Sequence, residues 1–307
     1  MSYKITDIIN LIDFASMEST DECQRLFHGR GHAYEGLSHV NIDWLAPVIL
    51  ISLYQQEDQI ALQQLATDLK AKFFSCLSVQ VQKRYLKNSP FEVLLGDDIN
   101  DTIVSEFGLK YHIQLGKAQN TGLFLDMRNG RQWIRQHASG KKVLNLFAYT
   151  CAFSVAALAG GAAHVVNIDN NKGVLSRGRE NHRLNSLDTK RLTFEGVNIF
   201  QSYSRLKKHG PYDMLICDPP TYQTGSVDIK RDYKKIISRI PQFMNAGSQL
   251  MLCLNSPDLA ADFLLDTVAE NCANCKYVET IPNPAIFKEA VPGRGLKVLV
   301  FNDTRSV

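Results

Sequence analysis

Residues 142–154 read KVLNLFAYTCAFS, an apolar run that passes directly into small residues. The run at 142–148 is typical of a buried strand, and the small residues of 152–159 favour a helix. The chain must therefore turn sharply between the two elements. A tight turn from a strand into a helix N-terminus aims backbone N–H groups at one place, where they can hold a carboxylate. We expect this turn to form part of a binding site.

Strands and helices alternate from this turn toward the C-terminus. Four further strand-like runs, separated by helical patterns, cover residues 164–169, 191–197, 212–218 and 249–255. Two final runs, near 277–281 and 296–302, have no helix between them and should pair as an antiparallel hairpin. The pattern predicts an α/β fold, with five parallel strands and this hairpin in one seven-stranded Rossmann-like sheet.

The N-terminal part predicts a small α+β domain. Isoleucines at helical spacing suggest that the first 30 residues are helical, and an amphipathic helix is expected over 59–71. The strand-like runs of this part are 37–44, 47–54, 73–85, 91–95, 102–106 and 111–115. A polar, Gly-containing loop at 116–121 follows. We therefore expect a small domain over residues 1–116 and a second domain over 117–307.

The composition limits the classes of function. The net charge of +3 is too mild to indicate nucleic-acid binding by itself. Basic residues cluster locally, however, in one group at Lys83, Arg84 and Lys87 and in a second group at Lys230, Arg231, Lys234 and Lys235. A charge cluster alone is more often a solvated face than a binding surface.

Several features predict a cytoplasmic protein without membrane segments or metal. No apolar run approaches the ~20 residues of a membrane-spanning helix. The N-terminus is acidic and lacks a small-residue cleavage site, so it does not resemble a signal peptide. The seven cysteines should therefore be reduced thiols. Cys272 and Cys275 form a lone C-x-x-C, and the histidines show no metal-ligand spacing. The oligomeric state stays open.

Two strand ends carry candidate binding groups. Asp169 ends the second strand, at a spacing from Thr150 that suits hydrogen bonds to ribose hydroxyls. The alternative is that Asp169 caps the following helix. Asp218-Pro219-Pro220-Thr221-Tyr222 ends the fourth strand. Its two prolines stiffen the loop, so its carbonyls could accept hydrogen bonds from an exocyclic amine, and Tyr222 could stack on a base. The alternative is a simple turn.

Four segments together carry a family resemblance. Residues 121–128, TGLFLDMR, are similar to a T-G-F-F-L-D-Q-R segment, and residues 145–154 to N-x-F-x-Y-T-G-G-F-S. The third segment is 218–222, and residues 25–29, RLFHG, with Gly36-Leu37 resemble an H-G element. In these segments the chain resembles the Rossmann-domain rRNA methyltransferases of bacteria, which modify large-subunit rRNA at cytosine C5 or guanine N7. The predicted sheet is also that of class I methyltransferases.

The resemblance implies S-adenosylmethionine (SAM) as cofactor, rRNA as partner and a set of site residues. The implied cofactor-binding residues are Thr121, Phe124, Asp126, Arg128, Asn145, Phe147, Tyr149, Thr150, Ala152, Phe153, Asp169, Asn170, Asn198 and Asp218. The implied catalytic residues are Asp218, Pro219, Pro220, Tyr222 and Asn255. By position, Thr121, Phe124, Asp126 and Arg128 would close over the cofactor and the active site.

The chain departs from the family pattern at two places. Cys151 and Ala152 replace two glycines, which allows the backbone to approach the cofactor less freely. Asn198 stands where an aspartate would hold the adenine amine, although its side-chain oxygen can also accept that bond.

Three functions are compatible with these patterns. The first is methyl transfer from SAM to a base nitrogen of rRNA. The second is methylation of a small molecule or protein on the same fold, and the third is RNA binding by a non-catalytic relative that lost cofactor affinity through Cys151 and Ala152. An NAD dehydrogenase is disfavoured, because no G-x-G-x-x-G follows the first strand.

The expectation of a nitrogen acceptor rests on the fifth strand. Methylating cytosine C5 requires a thiolate that adds to C6. Cytosine-modifying relatives carry that cysteine shortly after strand five, where this chain has Asn255. Cys253 lies two residues earlier and is predicted to be a buried strand residue.

Overall fold

The computed structural model describes residues 2–17, 19–220, 222–223 and 227–306, and of Ser16, Tyr222 and Gln223 it describes the backbone. Contacts divide the chain into two compact units. The first comprises Met1–Leu125 together with Pro284–Pro292, and the second comprises Asp126–Asn283 together with Gly293–Val307. The division of the chain into domains 1–116 and 117–307 stays a prediction.

The first unit contains a five-stranded sheet and a separate hairpin. The sheet has the order β1-β2-β3-β4-β5, and β6 pairs with β7. The elements are α1 (Ile8–Leu11), β1 (Gln24–His28), β2 (Val40–Leu45), β3 (Val48–Leu53), α2 (Gln59–Lys72), β4 (Ser78–Lys83), β5 (Phe91–Gly96), β6 (Asp101–Glu106) and β7 (Leu109–Gln114).

The predicted helix over the first 30 residues is wrong for most of its length. Ile5, Ile8 and Ile12 are buried as their spacing suggested, but α1 ends at Leu11. Gln24–His28 instead forms a strand that pairs antiparallel with β2 and buries Phe27. The partner strand lies further along the chain, so local spacing did not reveal it.

The second unit contains the predicted seven-stranded α/β sheet. Its elements are α3 (Arg128–His137), β8 (Lys142–Leu146), α4 (Ala152–Ala159), β9 (His164–Asp169), α5 (Lys172–Leu184), β10 (Leu192–Gly196), α6 (Tyr203–His209), β11 (Tyr212–Cys217), β12 (Tyr222–Gln223), β13 (Val227–Asp228), α7 (Ile229–Ile237), α8 (Ile240–Phe243), β14 (Met244–Leu254), α9 (Ala261–Asn271), β15 (Cys275–Ile281) and β16 (Lys297–Asp303). The sheet order is β10-β9-β8-β11-β14-β16-β15. The first five strands in this order are parallel, and β16 is antiparallel to both β14 and β15.

The central strands of this sheet, β8 and β11, are largely apolar because both of their faces are buried. Successive residues alternate between two core clusters, with Leu144 and Leu146 on one face and Val143 on the other. Strands buried on both sides read as continuous hydrophobic runs rather than as alternating patterns. This burial explains why the sequence of 142–148 was sufficient to predict a buried strand.

Three further observations on the described residues concern membrane-spanning helices, metal sites and cysteines. Within them no helix is both long enough and apolar enough to cross a membrane. No group of three or more His, Cys, Asp or Glu side chains in the described ranges could hold a metal ion. All seven cysteines are buried free thiols.

Candidate active site

The carboxyl ends of five parallel strands meet at one edge of the large sheet. The strand order reverses at β8, whose neighbours are β9 and β11. In open α/β sheets this reversal point is where ligands bind. The groups at or just beyond the strand ends are the loop 147–151, Asp169, Asn198, Asp218 and Asn255. The fold thus brings the predicted strand-end residues to one edge.

The loop after β8 is held in an unusual backbone conformation. Phe147, Tyr149 and Cys151 have φ angles of 56°, 48° and 61°, a region that non-glycine residues rarely adopt. The Tyr149 N–H donates to Asp169 Oδ2 at 2.9 Å, and Asn181 Nδ2 donates to the Thr150 carbonyl at 3.0 Å. Strain of this kind persists where the surrounding structure enforces it, which is typical of functional sites.

The N-terminus of α4 opens directly from this loop. Its N-cap residue, Cys151, makes no side-chain capping hydrogen bond. The first N–H groups of a helix have no partner within the helix and carry partial positive charge. The backbone of Ala152 and Phe153 is therefore suited to binding a carboxylate.

The Cys151 side chain turns away from the binding edge. Cys151 is fully buried and packs with Ala148, Leu175 and Phe194. A Cβ atom added at Gly178 of α5 would lie 2.4 Å from Cys151 Sγ, so the glycine provides the space for the sulfur. The replacement of a family glycine by Cys151 is therefore compensated on α5.

We expect Gly178→Ala to lower the free energy of unfolding by about 1–3 kcal/mol, the usual cost of overpacking a core. It should also weaken SAM binding severalfold, because the displaced Cys151 moves the loop. The double variant Gly178→Ala/Cys151→Gly should regain much of both losses, since it removes the clashing sulfur. Thermal unfolding and calorimetric titration measure the two effects. A double variant no better than Gly178→Ala would contradict this account.

Asp169 binds backbone groups at the end of β9. Its carboxylate accepts from Tyr149 N–H and, through Oδ1, from Asn171 N–H at 2.9 Å. Burial raises the pKa of Asp169, while these N–H groups act in the opposite direction. Asn171, not Asp169, caps α5 by accepting from the Gly173 and Val174 N–H groups. The alternative role as the helix cap is thus wrong for Asp169.

Asn145 lies beneath this edge in a chain of buried hydrogen bonds. Its Nδ2 donates to Asn167 Oδ1, Asn167 Nδ2 donates to Ser154 Oγ, and Ser154 contacts His182 Nε2 at 2.9 Å. The His182 Nδ1–H donates to the Gly178 carbonyl, so Nε2 accepts from the Ser154 hydroxyl. Burial lowers the pKa of His182, which favours this neutral form. This chain of hydrogen bonds thus links β8, β9, α4 and α5.

Among the described carboxyl groups at the strand ends, that of Asp218 has the most strongly shifted pKa. Burial, reinforced by the charge of Asp126, raises the pKa of Asp218 to about 7, and Arg131 opposes this shift. Pro219 is buried and Pro220 is exposed. Thr221 and the side chain of Tyr222 lie outside the described residues.

Sequence reasoning missed Arg131 and Tyr233. Arg131 lies one turn after Arg128 on α3, and both are buried. The available signal in the sequence was their three-residue spacing, which places both arginines on one face of a helix. The Tyr233 hydroxyl of α7 contacts the carbonyls of Cys217 at 3.1 Å and Cys253 at 2.9 Å, and can donate to either. Tyr233 thereby joins the ends of β11 and β14, next to Asp218.

The remaining predicted residues are more dispersed. Thr121 and Phe124 belong to the first unit, whereas Asp126 and Arg128 belong to the second. Asn198 Oδ1 accepts from the Phe200 N–H at 2.9 Å, which leaves its amide N–H groups and one oxygen lone pair for further bonds. Phe147 and Ala152 are partly buried, Phe153 is buried, and Asn170 and Asn255 are exposed.

Comparisons with known proteins agree with this architecture. The family model for S-adenosylmethionine-dependent methyltransferases matches residues 24–302. Ribosomal RNA large subunit methyltransferase I of Erwinia tasmaniensis is 28% identical over 283 residues, which cover 88% of this chain and 71% of that protein. Ribosomal RNA large subunit methyltransferase K of Neisseria meningitidis is 33% identical over 180 residues, which cover 57% of this chain and 50% of that protein.

A solved structure shares the fold over nearly the whole chain. A Streptococcus mutans protein assigned to the SAM-dependent methyltransferases superposes with a TM-score of 0.86 at 24% identity, covering 98% of this chain and 82% of that one. The match to the family model spans the strained loop, the strand ends and almost the entire seven-stranded sheet. This chain therefore belongs to the S-adenosylmethionine-dependent methyltransferase family.

Proposed function

We propose that this methyltransferase transfers the methyl group of SAM to a base nitrogen of rRNA. The observation that carries the proposal is the chemistry of the strand ends. Polar groups, Asp218 and Asn255, follow β11 and β14, while the cysteine nearest to them is inside the sheet. Such a site suits a nucleophile that already has a lone pair, and it lacks the thiolate that methylation of cytosine C5 needs.

The donors and acceptors at this edge fit SAM. In our proposal the Asp169 carboxylate accepts hydrogen bonds from the ribose hydroxyls, and the Asn198 side-chain oxygen accepts one from the adenine amine. The backbone of the loop 147–151 and the first turn of α4 would bind the methionine carboxylate. Thr121, Phe124, Asp126, Arg128 and Asn170 are kept as further proposed cofactor-binding residues.

The protein's own contribution to the reaction is alignment and charge. SAM supplies an activated methyl group when bound, so the enzyme has to hold the accepting nitrogen in line with it. In our proposal the Asp218 carboxyl accepts a hydrogen bond from the target base, and the stiff Pro219-Pro220 segment and Asn255 orient the ring. With its pKa raised to about 7, Asp218 can also take up a proton near neutral pH.

Cys253 supports nitrogen rather than carbon as the acceptor. It is fully buried in β14, opposite Val298 of β16. Burial and the nearby carboxyl of Asp218 raise the pKa of the Cys253 thiol well above its usual value. A protonated, inaccessible thiol is a poor nucleophile.

We expect RNA substituted with 5-fluorocytidine to form no denaturation-resistant adduct with the protein in the presence of SAM. A cytosine C5 enzyme would be trapped on this analogue through its catalytic thiolate. Electrophoresis under denaturing conditions detects the adduct. An adduct that disappears in Cys253→Ala would establish carbon methylation and overturn the nitrogen assignment.

Two features support RNA as the substrate. The relatives described above are named as ribosomal RNA methyltransferases. In the first unit, Tyr54 follows β3, and the guanidinium groups of Arg30 and Arg84 lie 4.2 Å and 5.3 Å from the centroid of its ring. Stacked arginine and tyrosine side chains are typical surfaces for unpaired bases. A site of action in the cytoplasm is part of this proposal.

Mapping modified nucleotides in rRNA from cells with and without the protein tests the function. We expect one base to lose a methyl group on a nitrogen when the protein is absent. Purified protein should then methylate unmodified rRNA and consume SAM only when RNA is present. Turnover with a small molecule or protein and no RNA would favour the alternative substrates instead.

A further inference from the structure

One part of the second unit carries a dense positive charge. Helices α6 and α7, with the two residues that follow α7, contain eight Lys or Arg side chains and a single acidic one, Asp232. We call this surface the α6–α7 basic face, which comprises Arg205, Lys207, Lys208, Lys230, Arg231, Lys234, Lys235 and Arg239. All eight are exposed. The whole chain has a net charge of only +3, so the rest of the protein is net negative.

Among the described residues, most of this charge has no counter-ion. Asp232 binds Arg231 at 2.8 Å and Lys235 at 2.7 Å, and Arg205 binds Glu195 at 2.9 Å. The other five, Lys207, Lys208, Lys230, Lys234 and Arg239, make no ion pair in the part of the chain that the structure describes. Accumulating like charges costs free energy, and an anionic partner would offset this cost.

The two helices that carry these charges contact each other. Their apolar sides pack in the same core, and the Tyr203 hydroxyl of α6 donates to the Lys235 carbonyl of α7 at 3.3 Å. The Arg239 guanidinium stacks on the Tyr203 ring at 4.2 Å. These contacts hold the two helices of the α6–α7 basic face against each other.

The basic face begins at the candidate active site. Tyr233, in the second turn of α7, contacts the carbonyls of Cys217 and Cys253. These contacts hold α7 against the strand ends that carry Asp218 and Asn255. Lys230 and Lys234 lie within one turn of Tyr233 on the same helix.

We propose that the α6–α7 basic face binds the phosphate backbone of the RNA strand that flanks the target nucleotide. This inference rests on the proposed function, because it takes the substrate to be RNA. Phosphate contacts position a nucleic acid and set its register without reading its sequence. Membrane binding is less suited to this face, since none of the exposed large hydrophobic residues of the described chain lies on it.

The test compares two variants that each remove four positive charges. The first carries Lys207→Gln, Lys208→Gln, Lys230→Gln and Lys234→Gln. The control carries Lys4→Gln, Lys72→Gln, Lys190→Gln and Lys276→Gln, four exposed lysines outside the face. The probe is a fluorescein-labelled 20-nucleotide poly(U), which reports binding to the RNA backbone without a particular rRNA sequence. Its Kd is measured from about 50 to 300 mM salt, and calorimetry with SAM checks that each variant keeps an intact cofactor site.

We expect the face variant to bind poly(U) at least about tenfold more weakly at low salt, while the control stays within about threefold of the original protein. The slope of log K against log salt should fall by about 0.7 for each phosphate that the variant no longer neutralises, or up to about 3 in total. The Kd for SAM should not change. Equal losses in both variants, no loss in either, or no poly(U) binding by the original protein would overturn the proposal.

Two further measurements separate this proposal from the proposed function. If the original protein and the face variant both methylate rRNA with the same KM and salt slope, the α6–α7 basic face does not bind the RNA. The proposed function as an rRNA methyltransferase is then unaffected. Suppose instead that only the face variant loses poly(U) binding, but that neither the original protein nor either variant methylates rRNA. The α6–α7 basic face is then still the RNA-binding surface, and the substrate is another RNA. The face would be assigned to membranes instead by two results together. The original protein would bind vesicles rich in phosphatidylserine, and the face variant would bind poly(U) as well as the original protein does.

Discussion

Replacing Asp218 with alanine is expected to lower single-turnover methyl transfer to RNA by about 10²–10⁴-fold, the range for losing a positioned acid or base. The Kd for SAM should change by less than about tenfold. The reason is the proposed position of Asp218 beside the accepting base, on the stiff segment that follows β11. Calorimetric titration and quenched methylation assays separate the two quantities. A parallel loss of cofactor affinity and rate would place Asp218 in the cofactor site instead.

The matched variant Asp218→Asn keeps the shape of the side chain and removes its titration. If the carboxylate is the active form, the rate of the original enzyme should rise with pH through about 7 and then level off. Asp218→Asn should be slow and should not show this rise. If the rate of Asp218→Asn rose with pH at the same midpoint, the titration would belong to another group.

The same pKa predicts a change in stability with a definite sign. Because the folded protein holds the Asp218 proton more tightly than the unfolded chain, this group stabilises the fold most below a pH of about 4. That contribution is lost progressively as the pH rises toward and through about 7. At pH 8, Asp218→Asn should therefore have a free energy of unfolding about 1–2 kcal/mol higher than the original protein, a modest gain because the side chain is only partly buried. Urea unfolding at pH 4 and pH 8 measures the difference, which should vanish at the lower pH.

Replacing Asp169 with alanine is expected to raise the Kd for SAM by about 10–100-fold, corresponding to about 1–3 kcal/mol of lost charged hydrogen bonds. The carboxylate is proposed to bind the ribose, and it also holds the strained loop through the Tyr149 N–H. Both effects weaken cofactor binding. Calorimetry with SAM measures the change, and thermal unfolding of the unliganded protein shows how much of it comes from the loop.

Asp188 offers a control of the same residue type. It too accepts a bond from a nearby backbone N–H, that of Lys190 at 3.0 Å, but it precedes β10 and so lies away from the strand ends. Asp188→Ala should leave the Kd for SAM unchanged. An unchanged Kd in Asp169→Ala, or equal losses in both variants, would argue against the ribose assignment.

Local patterns were sufficient to predict the large sheet and the edge at which its parallel strands end. Helix–strand alternation identified the five parallel strands and the closing hairpin, because strands covered on both faces leave long apolar runs in the sequence. Parallel strands in turn bring their carboxyl ends to one edge, which is why Asp169 and Asp218 could be grouped from the sequence alone. The roles of these residues stay predictions that the experiments above address.

Contacts between residues distant in sequence were decided only by tertiary structure. Gly178 makes room for Cys151, the Tyr233 hydroxyl joins β11 to β14, and Arg131 modulates Asp218, although none of these pairs shares a periodic pattern. The N-terminal strand Gln24–His28 was wrongly predicted as helix for the same reason, since its partner is β2. Periodicity reports which face of an element is buried, whereas the identity of the group packed against that face depends on how the chain returns to it.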